Sequence, residues 1–284
     1  MRSASGPTTT LQQSDAYLRA LRRYGTQVGE TAGLNSLHRR IARMPVTMIP
    51  RFTGDTVCEQ VDALPKGLVL LSPDQPGNWL RDIGAIRVAR PVQVADLPLS
   101  RDPDTMRRAM HQKWRNRLRH AERQGLRVTT SAMSPDPNHW LLTADVIQAQ
   151  ARKYRGWPTA LTLAWTQVAP GQTLYLEARD RKEPVAALLF LLHGTSATYH
   201  IGHTTDRGRA SSAHNLLMWH AMQKLGRSGY QSIDLGRLHA DTPGLNRFKL
   251  ESGAVARELG GTWLYWRPMS RLLARPRKAS LQSA

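Results

Sequence analysis

The chain has 284 residues, 40% of them hydrophobic and 8 of them Trp, a globular composition long enough for one large domain or two smaller ones. Its 40 Lys and Arg against 21 Asp and Glu give a formal charge of +19, so the partners to expect are anionic: nucleic acid, an acidic membrane surface, or phosphorylated and carboxylated substrates. A single cysteine, Cys58, excludes an internal disulfide framework and Cys-based zinc sites, and no apolar run approaches the roughly 18 residues of a spanning helix.

Residues 1–10 lack the apolar core of a signal peptide and read as a disordered lead-in, which points to a cytoplasmic protein. Residues 11–43 carry apolar positions at helical steps (Leu11, Tyr17, Leu18, Leu21, then Leu34, Leu37, Ile41), interrupted near Gly25 and Gly33. Residues 44–95 change character: Val46–Ile49, Leu68–Leu71 and Ala85–Ala89 are β-rich pieces between Pro and Gly turns, hence a small sheet. The proline-rich stretch 91–103 reads as a connector. From Asp104 to Gly125 the pattern predicts one helix, capped by Asp104, with Met106, Met110, Trp114, Leu118 and Ala121 on one face. Its other faces hold Arg107, Arg108, Lys113, Arg115, Arg117, Arg119 and Arg123 against Glu122, a cationic surface suited to an anionic partner.

A strand is expected over 126–130, a helix over 139–152 and an aromatic turn at 154–158. A hairpin follows, 173–178 with 184–192; its second strand is apolar on both faces and therefore central in its sheet. The stretch 197–203 extends this meander. After a small-residue turn, 204–212, a helix begins near Ala213 with Leu216, Leu217, Trp219, Ala221, Met222 and Leu225 in periodic positions, stopped by Gly226 and Gly229. A short strand, 231–235, and a polar loop, 236–244, complete the order in which α/β folds present loop residues at the carboxyl ends of strands, where ligands bind. The divisions expected are a lead-in (1–10), a sheet-bearing N-terminal half with its connector (11–103), a C-terminal domain (104–267) and a basic tail (268–284) suited to peripheral contact with an anionic membrane.

Three motifs carry a family resemblance: Lys113-Trp-Arg-Asn-Arg-Leu-Arg-His-Ala-Glu-Arg-Gln-Gly-Leu-Arg-Val128; Leu216-Leu-Met-Trp-His-Ala-Met222 with Gly229-Tyr-Gln-Ser-Ile-Asp-Leu-Gly236; and Gly244-Leu-Asn-Arg-Phe-Lys249 followed by Gly253. Their order resembles the GNAT acyltransferases, and in particular the FemAB-like branch, which comprises the peptidoglycan-bridge aminoacyltransferases and the related BioF2-like (acetyltransferase domain 6) proteins. The resemblance implies an α/β (α+β) fold with a mixed, mostly antiparallel sheet flanked by helices, preceded by a degenerate GNAT-like half. It also implies an N-acyltransferase that moves an acyl or aminoacyl group from acyl-CoA (acetyl-CoA) or aminoacyl-tRNA to an amine, without a metal. In GNAT enzymes a glycine-rich loop and the next helix N-terminus hold the donor pyrophosphate. The corresponding donor-binding residues are Arg207, Gly208, Arg209, Ala210, Ser211, Ser212 and Asn215, with Ala210 and Ser212 where glycines would fall.

By the same resemblance Lys249 lies near the developing oxyanion. Asp234, His239 and His203 are the proton-handling candidates, and Tyr154, Trp157, Tyr199, Arg237, Asn246 and Phe248 the substrate-binding ones. His200 and His203, three apart on a strand, are expected on opposite faces, which excludes a metal pair. Nothing resembles a nucleophile elbow, a Walker loop or a dinucleotide fingerprint. The rival reading is a non-catalytic basic module of the same fold that holds RNA or anionic lipid on the Arg107–Arg127 helix.

Overall fold

The computed structural model describes residues 9–54 and 56–274. The first eight residues of the expected lead-in, and residues 275–284 of the basic tail, lie outside them.

In chain order the elements are α1 (Asp15–Arg23), β1 (Val28–Thr31), β2 (Leu34–Ile41), β3 (Met44–Phe52), α2 (Thr56–Glu59), β4 (Leu68–Pro73), β5 (Ile86–Ala89) and β6 (Gln93–Pro98). Then come α3 (Pro103–Ala109), α4 (Gln112–Glu122), β7 (Arg127–Ser131), α5 (Trp140–Arg152), α6 (Thr159–Val168), β8 (Thr173–Asp180), β9 (Glu183–His193) and β10 (Ser196–Thr204). The chain continues through α7 (Asp206–Ala210), α8 (Ala213–Arg227), β11 (Ser232–Arg237), α9 (Pro243–Glu251), β12 (Val255–Glu258), β13 (Thr262–Tyr265) and α10 (Arg267–Leu273).

These elements form two compact units. One takes the residues up to Tyr24 together with Gln93–Arg257; the other takes Gly25–Val92 and the residues from Glu258 onward. Each is built on a mixed, mostly antiparallel sheet.

The sheet of the smaller unit runs β1-β2-β3-β4-β13-β5. Here the helical reading of residues 34–41 fails. Leu34–Ile41 is a strand, because tight turns with positive φ at Ala32 and Gly33, and again at Ala42 and Arg43, fold it against β1 and β3 as a double hairpin. β3 and β4 are parallel and stay paired from Val46↔Leu68 to Phe52↔Pro73, and Ile49, Phe52, Val69, Leu71 and Trp263 fill the core beneath them.

The larger unit's sheet runs β12-β6-β11-β10-β9-β8-β7. β9 is central as expected, with Val185–His193 buried on both faces. One face packs under α3, α4 and α8 through Met106, Trp114, Leu118, Leu217 and Leu225; the other packs under α5 through Leu141, Leu142, Leu189 and Ile201. The proline-rich connector contains a strand after all: β6 pairs antiparallel with β11, and Val94, Ala95 and Leu97 are buried. The single helix expected from Asp104 is two, broken at Met110–His111, each with its own cap. Asp102 rather than Asp104 caps the first, its carboxylate accepting from the amides of Asp104 and Thr105, with Pro103 in the first turn. His111 Nδ1 accepts from Lys113 N and caps the second. Gly125, at φ +66°, makes the expected left-handed exit.

Candidate functional site

The site begins with a break in pairing. β10 and β11 are parallel neighbours, yet they match only at Ser196↔Ser232, Ala197↔Ile233 and Thr198↔Asp234. Beyond that row β10 runs on to Thr204 and β11 to Arg237, each unpaired to the other. β10 carries a bulge between Tyr199 and Ile201, and β11 an irregularity against β6 between Asp234 and Arg237, where Gly236 sits at φ +78°. Bulges bend a strand out of register, and past the Thr198–Asp234 row the carboxyl ends of this pair are no longer joined, a gap in the pairing. β3 and β4 of the other unit also carry an irregularity, between Pro50 and Phe52, but pair on both sides of it.

α9 brings Lys249 to the β11 side of the gap. The lysine is 6% exposed, and its Nζ donates to Arg237 O at 2.9 Å. Burial pulls its pKa down to about 8, with the charge of Asp234 acting against the fall. Asp234 Oδ1 accepts from Gly236 N at 2.7 Å, which holds the strand end that faces the amine. A Cβ on Gly236 would stand 3.9 Å from Nζ. Phe248, the preceding residue, packs with ring centroids 6.2 Å from Trp114 and 6.1 Å from His214. His214 Nε2 in turn donates to His203 O at 2.8 Å, tying α8 to the diverging end of β10; burial holds its pKa down to about 4.

The remaining expected residues divide. His239 lies in the exposed loop after β11, where its backbone is gripped at both ends by Asn246: Oδ1 accepts from His239 N at 3.2 Å and Nδ2 donates to His239 O at 2.7 Å. Asn246, expected to bind substrate, has both ends of its carboxamide engaged in holding that loop. Arg237 contributes its carbonyl to Lys249, and its side chain is exposed.

The expected donor loop, Arg207–Ser212, is a short helix instead. Thr205 Oγ1 caps it by accepting from Gly208 N, and the amides of Arg209, Ser211 and Ser212 donate to Thr205 O, Arg207 O and Arg209 O. Arg207 pairs with Asp180 at 2.6 Å and Arg209 with Asp206. With alanine and serine where glycines would stand, the segment folds into α7 and spends its amides internally. Ser211 is fully buried, bonded to Arg207 O and Gly208 O. Asn215, in the first turn of α8, is buried with its Nδ2 unpartnered among the described residues, and so is Trp114 Nε1. A buried donor without a partner is costly, so these two are groups that a ligand or water would satisfy.

On the other side of the gap the bulge resets the strand alternation. His200 and His203 therefore do not point to opposite faces: both reach the α5–α6 layer. His200 Nε2 bonds Thr162 Oγ1 on α6 at 2.8 Å and meets Trp157 edge-on at 4.7 Å, and burial holds its pKa down to about 4. Trp157 also packs on Tyr17 and Trp165, so it belongs to an aromatic cluster more than to an open wall. His203 packs edge-on against Trp140 at 6.0 Å, and its Nδ1 is buried without a partner among the described residues. Tyr199 lies along its own strand with its hydroxyl over Gly202, where a Cβ would come within 1.8 Å of it, so only glycine fits. Tyr154 donates to Asp145 Oδ1 at 2.7 Å. Asp145 and Gln148 are polar positions on α5 with no motif around them, and only the contact from α5 to β10 marks them. Among the described residues no group of His, Cys, Asp or Glu could hold a metal ion, and no helix is long and apolar enough to cross a membrane.

A parallel strand pair that parts toward its carboxyl ends within a mixed, mostly antiparallel sheet is the layout of the GNAT acyltransferase fold. A family model, the acetyltransferase (GNAT) domain, matches residues 84–250, and the chain belongs to that family. Among solved structures it is similar to FemX, with 12% identity and a TM-score of 0.75 over 95% of this chain and 96% of that one. It is also similar to L-PGS from Bacillus licheniformis, with 12% identity and a TM-score of 0.56 over 96% and 100%. A protein of unknown function from Bacteroides thetaiotaomicron has 14% identity and a TM-score of 0.60 over 89% and 90%. At such identities the likeness is one of fold. No curated protein matches the sequence. The protein is an N-acyltransferase of the GNAT family, and its fold is like that of FemX.

Proposed function

We propose that the protein moves an acyl or aminoacyl group from an anionic carrier, acyl-CoA or aminoacyl-tRNA, to an amine by direct attack in the gap between β10 and β11. The observation that carries this reading is Lys249: an amine 6% exposed, hydrogen-bonded to the irregular end of β11 beside a strand pair that has come apart. As the amine attacks, negative charge grows on the carbonyl oxygen. An ammonium already desolvated stabilises that charge without reorganising water, an effect worth roughly 10²–10³ in rate at comparable sites. Most of the remaining acceleration comes from holding amine and carbonyl together.

The occupied amides of α7 favour aminoacyl-tRNA over acyl-CoA as the donor. A pyrophosphate would find the amides of Gly208, Arg209, Ser211 and Ser212 already bonded, so guanidinium side chains must grip the phosphates. His120 Nε2 contacts Ala210 O, which brings the end of α4, with exposed Arg119 and Arg123, against α7. An extended polyanion matches such a cationic surface. On this reading the smaller unit, built on Gly25–Val92 and the residues from Glu258 onward, is a degenerate copy whose parallel pair stays shut, and a tRNA donor implies the cytoplasm. The test is mass-spectrometric: purified protein is offered charged tRNA, acetyl-CoA and longer acyl-CoAs with a library of primary amines. An amide product from charged tRNA is the expected result; product from acyl-CoA alone would reverse the donor assignment, and no product from any donor would overturn the reading.

A further inference from the structure

Two rungs hold α9 to the end of β11, and Lys249 makes only one of them. Past the Thr198–Asp234 row β10 no longer pairs with β11. Leu238 N turns the other way, to Gln93 O at the start of β6; in an extended chain its neighbours Arg237 and His239 therefore present their backbone groups to the edge that β10 has left. Side chains of α9 take that edge. Lys249 Nζ donates to Arg237 O at 2.9 Å. One turn earlier on the same helix face, Asn246 Oδ1 accepts from His239 N at 3.2 Å and Nδ2 donates to His239 O at 2.7 Å, the pair of bonds that a residue of a neighbouring strand would make. Few other side chains tie the first half of α9. Thr242, at its N-cap, makes no side-chain cap bond among the described residues, and Pro243, Gly244, Leu245 and Arg247 are exposed. Thr242 Oγ1 reaches the same His239 carbonyl, at 3.4 Å. The second half is anchored separately, by Phe248 on Trp114 and by Glu251 O accepting from His111 N at 2.9 Å.

We propose that Asn246 is the positioning residue of Lys249: its carboxamide stands in for the strand partner that β11 loses, and so fixes the turn of α9 from which the amine reaches Arg237 O. The ammonium has three N–H donors and spends one on that carbonyl, which leaves two for the oxygen of a bound acyl carbonyl. Where those two point depends on where α9 begins. Without the carboxamide, the N–H of His239 has to find water, because a backbone donor must be satisfied somewhere, and the first turn of α9 comes away from the strand end. Water then reaches an amine that is 6% exposed in the intact protein. The charged groups facing Lys249 are Asp234 on β11, which favours the ammonium, and His239 in the loop. A neutral substitution at position 246 removes neither, so a change in the protonation of Lys249 reports its hydration.

The consequence for turnover rests on the acyl-transfer reading, but the clasp is testable without it. The full-length protein is labelled with ¹³C,¹⁵N-lysine, and the Lys249 signal, assigned by its loss in Lys249→Met, is titrated by NMR in the wild type, Asn246→Ala, Asn246→Gln and Leu245→Ala. The wild type is expected to titrate at about 8. Asn246→Ala should raise that value by at least about one unit toward the ordinary lysine range. Asn246→Gln, which keeps both amide groups, should restore part of the difference, and Leu245→Ala, at an exposed position on the same turn, should leave the wild-type value in place. In kcat/KM profiles the alkaline limb should move with the NMR value, and kcat should fall about tenfold to a hundredfold in Asn246→Ala with the donor KM within about twofold. An unchanged Lys249 pKa in Asn246→Ala, even with a lowered melting temperature, would overturn the proposal, since lost stability alone is what a purely structural asparagine gives. If Asn246→Ala does not fold, Asn246→Leu, of similar size and without hydrogen-bonding groups, carries the test with the same expected rise. A raised pKa together with no transfer by the wild type from any donor keeps the clasp and sinks the transferase reading; transfer with an unaltered pH profile in Asn246→Ala does the reverse.

Discussion

Replacing Lys249 with Met separates a lysine that supports the fold from one that serves chemistry. Burial takes its pKa from the ordinary 10.5 to about 8. At about 1.4 kcal/mol per pH unit, keeping the ammonium charged in the folded protein at neutral pH costs about 3 kcal/mol. The sign follows from proton uptake. Below pH 8 folded and unfolded states both hold the proton and the full cost is present. Between about 8 and 10.5 the unfolded state holds it and the folded state does not, so stability rises with pH and the cost is relieved. Lys249→Met removes this cost and leaves Arg237 O without its donor, a loss of about 1–3 kcal/mol. Stability at pH 7 should therefore hold or rise by up to about 2 kcal/mol, and its rise between pH 8 and 10.5 should flatten. Acyl transfer should fall roughly 10²–10³-fold. Denaturant melts across pH, paired with product formation by mass spectrometry, read both quantities. A variant that loses stability, or one that keeps full turnover, would refute the argument that this amine is held charged for catalysis.

Turnover should fall on the alkaline side of about pH 8 as Lys249 loses its proton, and Lys249→Arg should carry that limb upward by at least one pH unit in a kcat/KM profile, since guanidinium stays charged. Gly202→Ala places a Cβ 1.8 Å from Tyr199 Oη; displacing the tyrosine should cost about 1–3 kcal/mol in a thermal melt. Gly236→Ala forces an alanine to φ +78° and should cost about 1–2 kcal/mol while lowering kcat, because it shifts the strand end that holds Lys249. Asp102→Ala removes the cap of α3 and should cost about 1 kcal/mol with transfer rates unchanged.

The sequence was most readable where burial is continuous. The run Val185–Leu192 could only be a central strand, and the periodic apolar face of α8 and the short strand before Gly236 framed the gap. Lys249 was singled out by its motif, and the fold buries it against the end of β11. Elements whose local pattern mimics another period were not. Leu34, Leu37 and Ile41 fall at helical steps, but the turns on either side decide for a hairpin. β6 hides among prolines because one strand neighbour, β11, pairs with Leu97 through Ile233, 136 residues downstream, and leaves no local trace. The break at Met110–His111 keeps the apolar stripe in phase, so periodicity passed over it. Alternation on β10 failed at one bulge, which turned His200 toward the layer that His203 already faced. Asp145 and Gln148 had no sequence signal at all: each is an ordinary polar residue on an amphipathic helix, and its meaning comes from Tyr154 and Gly202, brought to it by the fold.

The most direct measurement is a crystal structure with a hydrolysis-resistant aminoacyl-adenosine analogue of a tRNA 3′ end. The account predicts the acyl carbonyl oxygen between β10 and β11, beyond the Thr198–Asp234 row, within about 3 Å of Lys249 Nζ. A donor bound elsewhere, or strands that close on each other with Lys249 still turned to Arg237 alone, would contradict it.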